Sequence, residues 1–277
     1  KMGLGASRSN SQINISTNFL STMPNSSPTQ NNTQSWAWNL AVLMSFVCLV
    51  YLPAKEAFTT QEQSGGYLQL LTLLPSGIFY TLWVTLLGSA SAIVVGLLVG
   101  LGKLSENPYI RVPLSFYVEV LRGIPLLVLL FYIYYALGEF IHMPALVAAV
   151  AGFGFSYGAY MADVFRAGIE AVPKEQGEAA RSLGMNEKQA LFQVILPQAL
   201  RTIIPAIGNQ TLGMLKDTSL VSVLAISDIL RVGNEYATKH FNYFETYTYV
   251  ALTYLLLTLL LSRVVQNLEN RFRTEPV

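Results

Sequence analysis

The chain has 277 residues, 52% of them hydrophobic and only 12% charged, with a formal net charge of +1 and a mean hydropathy of +0.44. Soluble domains carry about 25% charged residues, so this deficit, with the apolar residues gathered in long runs, marks an integral membrane protein. The near-zero net charge supplies no field to steer nucleic acid, and a single cysteine, Cys48, excludes an intrachain disulfide and a cysteine-based metal site.

In chain order, residues 1–35 are rich in Ser, Asn, Thr and Gln. They bury too little apolar area to offset ordering entropy and are expected to be disordered. Residues 36–52 form the first apolar run, about 25 Å long as a helix and just able to span. No basic cluster precedes it directly, so it reads as a retained anchor, and 36–66 as that anchor with its connection. The runs 77–101, 114–137, 145–169, 200–216 and 246–265 follow, the fifth of the six interrupted by Pro205. The fold class read from this is all-α and polytopic, with six transmembrane helices. The apolar stretch 220–229 is too short to cross and reads as an interfacial or re-entrant helix.

Charges in the connections give an orientation. Lys103 and Arg111 follow the second run, Lys174, Arg181 and Lys188 the fourth, and Arg271 and Arg273 the sixth. The opposite connections hold Lys55, then Arg231 and Lys239. The positive-inside rule places the 170–197 loop and both termini in the cytoplasm.

That loop contains "EAARSLGMNEKQALFQVILP", residues 178–197. Residues 178–183 read as a short helix. Gly184 is suited to the left-handed residue that ends it, Asn186 to the cap of a second helix, and Pro197 marks entry to the next span. Ala179 and Ala180 form a low ridge able to approach another surface, and Glu178 and Arg181, three apart, share a face and can pair. Taken alone, these residues also fit a solvated loop.

The spacing changes that weighting. Glu178-Ala179-Ala180, three residues, Gly184, nine residues and then Val194-Ile195-Leu196-Pro197 resembles the EAA loop of ABC-importer permeases, with Val194 where the family usually has isoleucine. "YVEVLRGIPLLVLLFYIYYAL" (117–137), "SYGAYMADVFRAGIEAVPKEQGEAARSLGM" and "GNQTLGMLKDTSLVSV" resemble the polar amino acid permeases of that family. The resemblance runs from about Tyr67 to Phe272. It implies a five-helix type I importer core over 67–277, to which the N-terminal anchor is an addition.

The resemblance further implies partners. These are a cytoplasmic ATPase dimer that binds ATP and Mg, a second permease subunit, identical or homologous, and an external solute-binding protein, all set in membrane lipid. Coupling to the ATPase would fall to Glu178, Ala179, Ala180, Arg181, Gly184, Leu196 and Pro197. The chain itself has no G-x-x-x-x-G-K-[ST] phosphate loop. No cofactor, metal or catalytic residue is therefore expected on it.

Polar groups at membrane depth face a bundle interior or a water-filled cavity. Asn209 and Gln210 inside the fifth run, with Lys216 and Asp217 toward its end, fit either interhelical hydrogen bonding or a substrate pathway. The resemblance favours a pathway lined by Asn209, Gln210, Met214, Asp217 and Thr218. Relatives that carry basic amino acids can have an acid where this chain has Gln210. A neutral residue there, with Lys216 beside Asp217, leads us to expect neutral or acidic polar amino acids, such as glutamine or glutamate, over arginine.

The pairs Glu119/Arg122 and Asp163/Arg166, each three apart, fit local pairing at a membrane boundary as well as contact on the ATPase side. Gly96 and Gly100 form a G-x-x-x-G suited to close helix packing, within the bundle or between subunits. His142 and His240 are isolated histidines in connections. An ion-coupled secondary transporter shares the same bundle polarity. An intramembrane enzyme would need a paired nucleophile and base, or metal-ligand spacing, and no span carries either.

Overall fold

A computed structural model describes residues 38–49, 51 and 67–272 of the chain. The tail 1–35, most of the 36–66 connection and the last five residues lie outside the described residues. The chain divides into two units, Lys1–Ala41 and Val42–Val277, and the second carries the bundle. Every regular element among the described residues is helical.

The helices are α1 (Trp38–Leu49), α2 (Tyr67–Lys103), α3 (Pro108–Gly123), α4 (Leu126–Phe131), α5 (Ala145–Glu170), α6 (Lys174–Ser182), α7 (Glu187–Ala190), α8 (Leu196–Asp217), α9 (Ile229–His240) and α10 (Tyr243–Phe272). Four helical stretches among the described residues are long and apolar enough to cross a membrane: α2, α5, α10 and the run Glu187–Leu224 that contains α8. The α3–α4 pair makes a fifth if it counts as one span. Among the described residues, α1 is a shorter apolar helix of 12 residues.

The 114–137 run, expected as one helix, is bent by 102° between α3 and α4. The break falls at Ile124-Pro125. Proline disfavours helical backbone in the residue before it, and Ile124 is extended, with φ −91° and ψ 124°. Proline alone does not decide such a break, since Pro205 sits inside an unbroken α8. The 220–229 stretch is also not one helix. A 3-10 segment, Thr218–Leu224, continues from α8 and stops at Ala225 in the left-handed region with φ 61°. The helix α9 begins only at Ile229.

The helices α2 and α5 share the most extensive helix contact in the bundle. Small residues on both make it close. A Cβ at Gly96 would lie 2.5 Å from Met161 Cβ and 3.0 Å from its backbone carbon, and one at Gly100 would lie 2.8 Å from the Ala162 carbonyl oxygen. The G-x-x-x-G therefore packs within the chain. The core beside it holds Val84, Phe153, Met161, Ile203 and Met214. A second cluster, with Leu70, Ile229, Tyr236 and Tyr249, joins α2, α9 and α10.

Because backbone is one of the atoms in the way at position 96, Gly96→Ala is expected to destabilise the bundle by about 1–3 kcal/mol. A lower thermal midpoint of the detergent-solubilised protein is the readout. An unchanged midpoint would show that α2 and α5 can separate freely.

Candidate functional site

The loop joining α5 to α8 is built by its caps. The helix α6 starts at Lys174 after Pro173, four residues before the expected start, and ends at Ser182. Its end is a Schellman motif. The Gly184 N–H donates to the Arg181 carbonyl at 2.9 Å and the Met185 N–H to the Ala180 carbonyl at 3.2 Å. Gly184 has φ +87°, the left-handed value expected of it. A Cβ there would meet nothing within 4 Å, so the position is constrained by backbone conformation and not by space.

Asn186 then caps α7 in a capping box: its side chain accepts from the Gln189 N–H while the Gln189 side chain accepts from the Asn186 N–H, both at 2.9 Å.

The faces of α6 differ from the sequence reading. Gly177 and Ala180, one turn apart, are buried, and a Cβ at Gly177 would rest 3.5 Å from Ile195 Cδ1. Ala180 thus packs inside the chain, which corrects the ridge of two alanines. Glu178, Ala179, Arg181 and Ser182 are exposed, as is Leu183 at 81%. Glu178 and Arg181 make no ion pair with each other.

Pro197 stands in the first turn of α8, where entry to the span was expected. A π-helical turn, Leu191–Ile195, joins α7 to α8 in one continuous helical run. Proline has no N–H to give to the carbonyl four residues back, and a π turn just before it is a common accommodation. Leu196 is half-buried and Pro197 exposed.

The five residues expected along a pathway fall into two groups. Met214 and Thr218 are fully buried: the Ser89 hydroxyl donates to Met214 Sδ at 3.3 Å and Thr218 Oγ1 to the Leu215 carbonyl at 2.6 Å. Asn209 is exposed, and Gln210 and Asp217 are half-buried. Tyr157 of α5 donates to Asp217 Oδ2 at 2.8 Å. The helix α8 itself is peripheral: in the run containing it, only 17% of the most apolar window is buried, against 61% for α5.

The sequence reading missed an ion cluster. Asp163 of α5 meets Lys103 Nζ of α2 at 2.7 Å, Arg122 Nη1 of α3 at 2.6 Å and Arg166 Nε at 3.8 Å. Arg166 also pairs with Glu170 at 2.8 Å, and the Arg122 guanidinium lies 5.0 Å from the Tyr160 ring centre. Arg122 therefore reaches across to another helix, and not to Glu119. The available signal was three cations near helix ends with one aspartate in reach. Asp228, fully buried where Asp163 is half-buried, caps α9 by accepting from the N–H groups of Leu230 and Arg231 and from the Tyr254 hydroxyl.

The exposed, capped pair α6 and α7 thus runs into a long helix that carries polar positions. Residues 92–274 match the family described as "Binding-protein-dependent transport system inner membrane component", and the chain belongs to it.

It is 39% identical over 200 residues to a probable amino-acid permease protein, YxeN, of Bacillus subtilis, covering 71% of this chain and 89% of that one. It is 34% identical over 206 residues to the glutamine transport system permease protein GlnP of Escherichia coli, covering 73% and 94%. A crystal structure of an amino acid ABC transporter with histidines superposes with a TM-score of 0.70 at 38% identity, covering 76% of this chain and all of that one.

Proposed function

We propose that the chain is the permease subunit of an ATP-driven importer of polar amino acids. The observation that carries this is the continuous helical run Glu187–Leu224, which links the exposed loop at one end to Asn209, Gln210 and Asp217 farther along. Relatives at 34–39% identity are an amino-acid permease and a glutamine permease, which supports the substrate class. The loop with Glu178, Ala179, Arg181 and Leu183 on its open face docks on a cytoplasmic ATPase dimer. ATP and Mg bind on that partner, and both termini of this chain lie in the cytoplasm. A second permease covers the peripheral face of α8, and an external solute-binding protein delivers the substrate.

The neutral Gln210 favours neutral or acidic polar side chains. A cationic side chain left without a partner loses several kcal/mol at a dry site, enough to set selectivity.

The test is co-purification and reconstitution. A cytoplasmic ATPase should co-purify, and uptake should survive an ionophore but stop on ATP depletion. Uptake that stops with the ionophore alone would point to the ion-coupled alternative. In the reconstituted complex, glutamine and glutamate should stimulate ATP hydrolysis more than arginine. Gln210→Glu should shift that order toward arginine. A wild type that responds best to arginine, or a variant with the same order, refutes the selectivity reading.

A further inference from the structure

At the end of α8 opposite the α6–α7 loop, the 3-10 segment Thr218–Leu224 packs on α2, α5 and α8. Its Val221 and Leu224 are fully buried and, with Ile226, belong to the core cluster that holds Val84, Phe153 and Met214. The segment is a short apolar plug in that end of the bundle.

Beyond the plug the chain is fixed. Asp228 and Ile229 are fully buried. A Cβ at Gly77 of α2 would lie 2.9 Å from Ile229 Cα, so α9 begins directly on the backbone of α2. The Ile229 N–H donates to Thr81 Oγ1 of α2 at 3.3 Å, and Tyr254 of α10 donates to Asp228 Oδ2 at 3.0 Å.

The plug is gripped by two of its last carbonyls. The Tyr135 hydroxyl donates to the Val223 carbonyl at 2.9 Å, and Arg231 Nη1 donates to the Ser222 carbonyl at 3.2 Å. Both donors end partly exposed side chains, Tyr135 at 50% and Arg231 at 34%. Tyr135 reaches Val223 from a π-helical turn, Tyr132–Ala136, a winding often kept at functional sites. Between the plug and its fixed end stands Ala225, at φ 61°. Left-handed backbone strains a residue with a Cβ and persists only where the surroundings hold it.

Resting on the importer reading above, we propose that Thr218–Leu224 is a withdrawable plug for this end of the bundle, and that Tyr135 and Arg231 are its latch. Loss of the two carbonyl bonds frees the strained corner at Ala225. The segment then turns against the fixed point at Asp228–Ile229 and carries Val221 and Leu224 out of the core. Tyr135 follows α4 and Arg231 lies in α9, so a shift of either element against α8 releases the plug.

The experiment uses the purified permease–ATPase complex in nanodiscs, which leave both faces open to a water-soluble maleimide. Cys48→Ser removes the chain's one cysteine. In that background Val221→Cys reports the plug, and Ala199→Cys, 1% exposed near the loop end of α8, reports the opposite end. Labelling of this chain is followed by mass spectrometry. Tyr135→Phe keeps the ring contacts with Phe131 and Tyr134 and removes only the hydroxyl. It should speed labelling at 221 by roughly three- to tenfold, the scale of one hydrogen bond, and leave 199 unchanged. Arg231→Met should do the same, and it decides the question if Tyr135→Phe fails to assemble.

A rate at 221 that neither variant changes would overturn the latch. Equal acceleration at both reporters would also overturn it, because general loosening acts at both ends. A Val221→Cys parent that labels at once would overturn the plug. ATP hydrolysis without substrate, read on the same samples, should rise in Tyr135→Phe. A complex that hydrolyses no ATP in any form would overturn the importer reading, while the labelling rates still decide the latch.

Discussion

In a Gly184→Val permease, transport is expected to fall by about an order of magnitude while the helices still insert and pack. Gly184 has φ +87°, where a residue with a Cβ loses roughly 1–2 kcal/mol, and valine, branched at Cβ, tolerates it poorly. The substitution meets no steric obstacle, since a Cβ there has nothing within 4 Å. The whole effect therefore falls on the Schellman turn that aims α6. A shift of that size moves the ratio of correctly to wrongly presented loop about 5- to 30-fold.

Gly184→Asn is the control. Asparagine fills the same open space but accepts left-handed backbone, so it should keep most of the coupled activity. Substrate-stimulated ATP hydrolysis in proteoliposomes is the measurement. Equal loss in both variants would mean that bulk at the docking face matters, and normal activity in the valine variant would remove Gly184 from the mechanism.

The second large effect is at Asp163. Asp163→Ala leaves Lys103, Arg122 and Arg166 to repel one another with no carboxylate among them. Lys103 is the most enclosed, at 13% side-chain exposure, while Arg122 is half-exposed at 46%. Removing one partner of a buried pair is costly, and solvent screening lowers that at a half-open site. A loss of about 2 kcal/mol is expected between those limits.

The double variant Lys103→Met, Asp163→Ala should recover part of this, because it also removes the most buried orphaned cation. Thermal unfolding of the solubilised protein gives both values. A double variant worse than the single would show that Lys103 contributes by packing and not by charge.

What was legible in the sequence was local chemistry. Gly184 and Asn186 were readable as a stop and a start because caps act within three or four residues. The apolar runs marked α2, α5, α8 and α10 for the same reason of length. The bend at Ile124-Pro125 was masked by an unbroken apolar run on either side. The partner of Arg122 was masked by a nearer candidate: Glu119 sits one turn away, while Asp163 is 41 residues off and comes close only once α3 packs on α5. The inward turn of the Gly177–Ala180 face was hidden likewise, because Gly177 meets Ile195 of the π turn, and nothing in α6 announces it. Burial of Met214 and Thr218 is a product of the same long-range packing.

The unbroken path from α7 through the π turn into α8 has a mechanical consequence. From Glu187 to Gln210 it forms a strut about 35 Å long. Pivoted at its lower end, a swing of about 10° carries Gln210 through about 6 Å, which is comparable to the width of the molecule it is proposed to select. The π turn at Leu191–Ile195 is where that strut leaves α-helical winding, so its stiffness would set how much of a push at the loop is delivered at the far end and how much is absorbed on the way. A stiffer joint lengthens the stroke, and a softer one turns the same push into idle flexing.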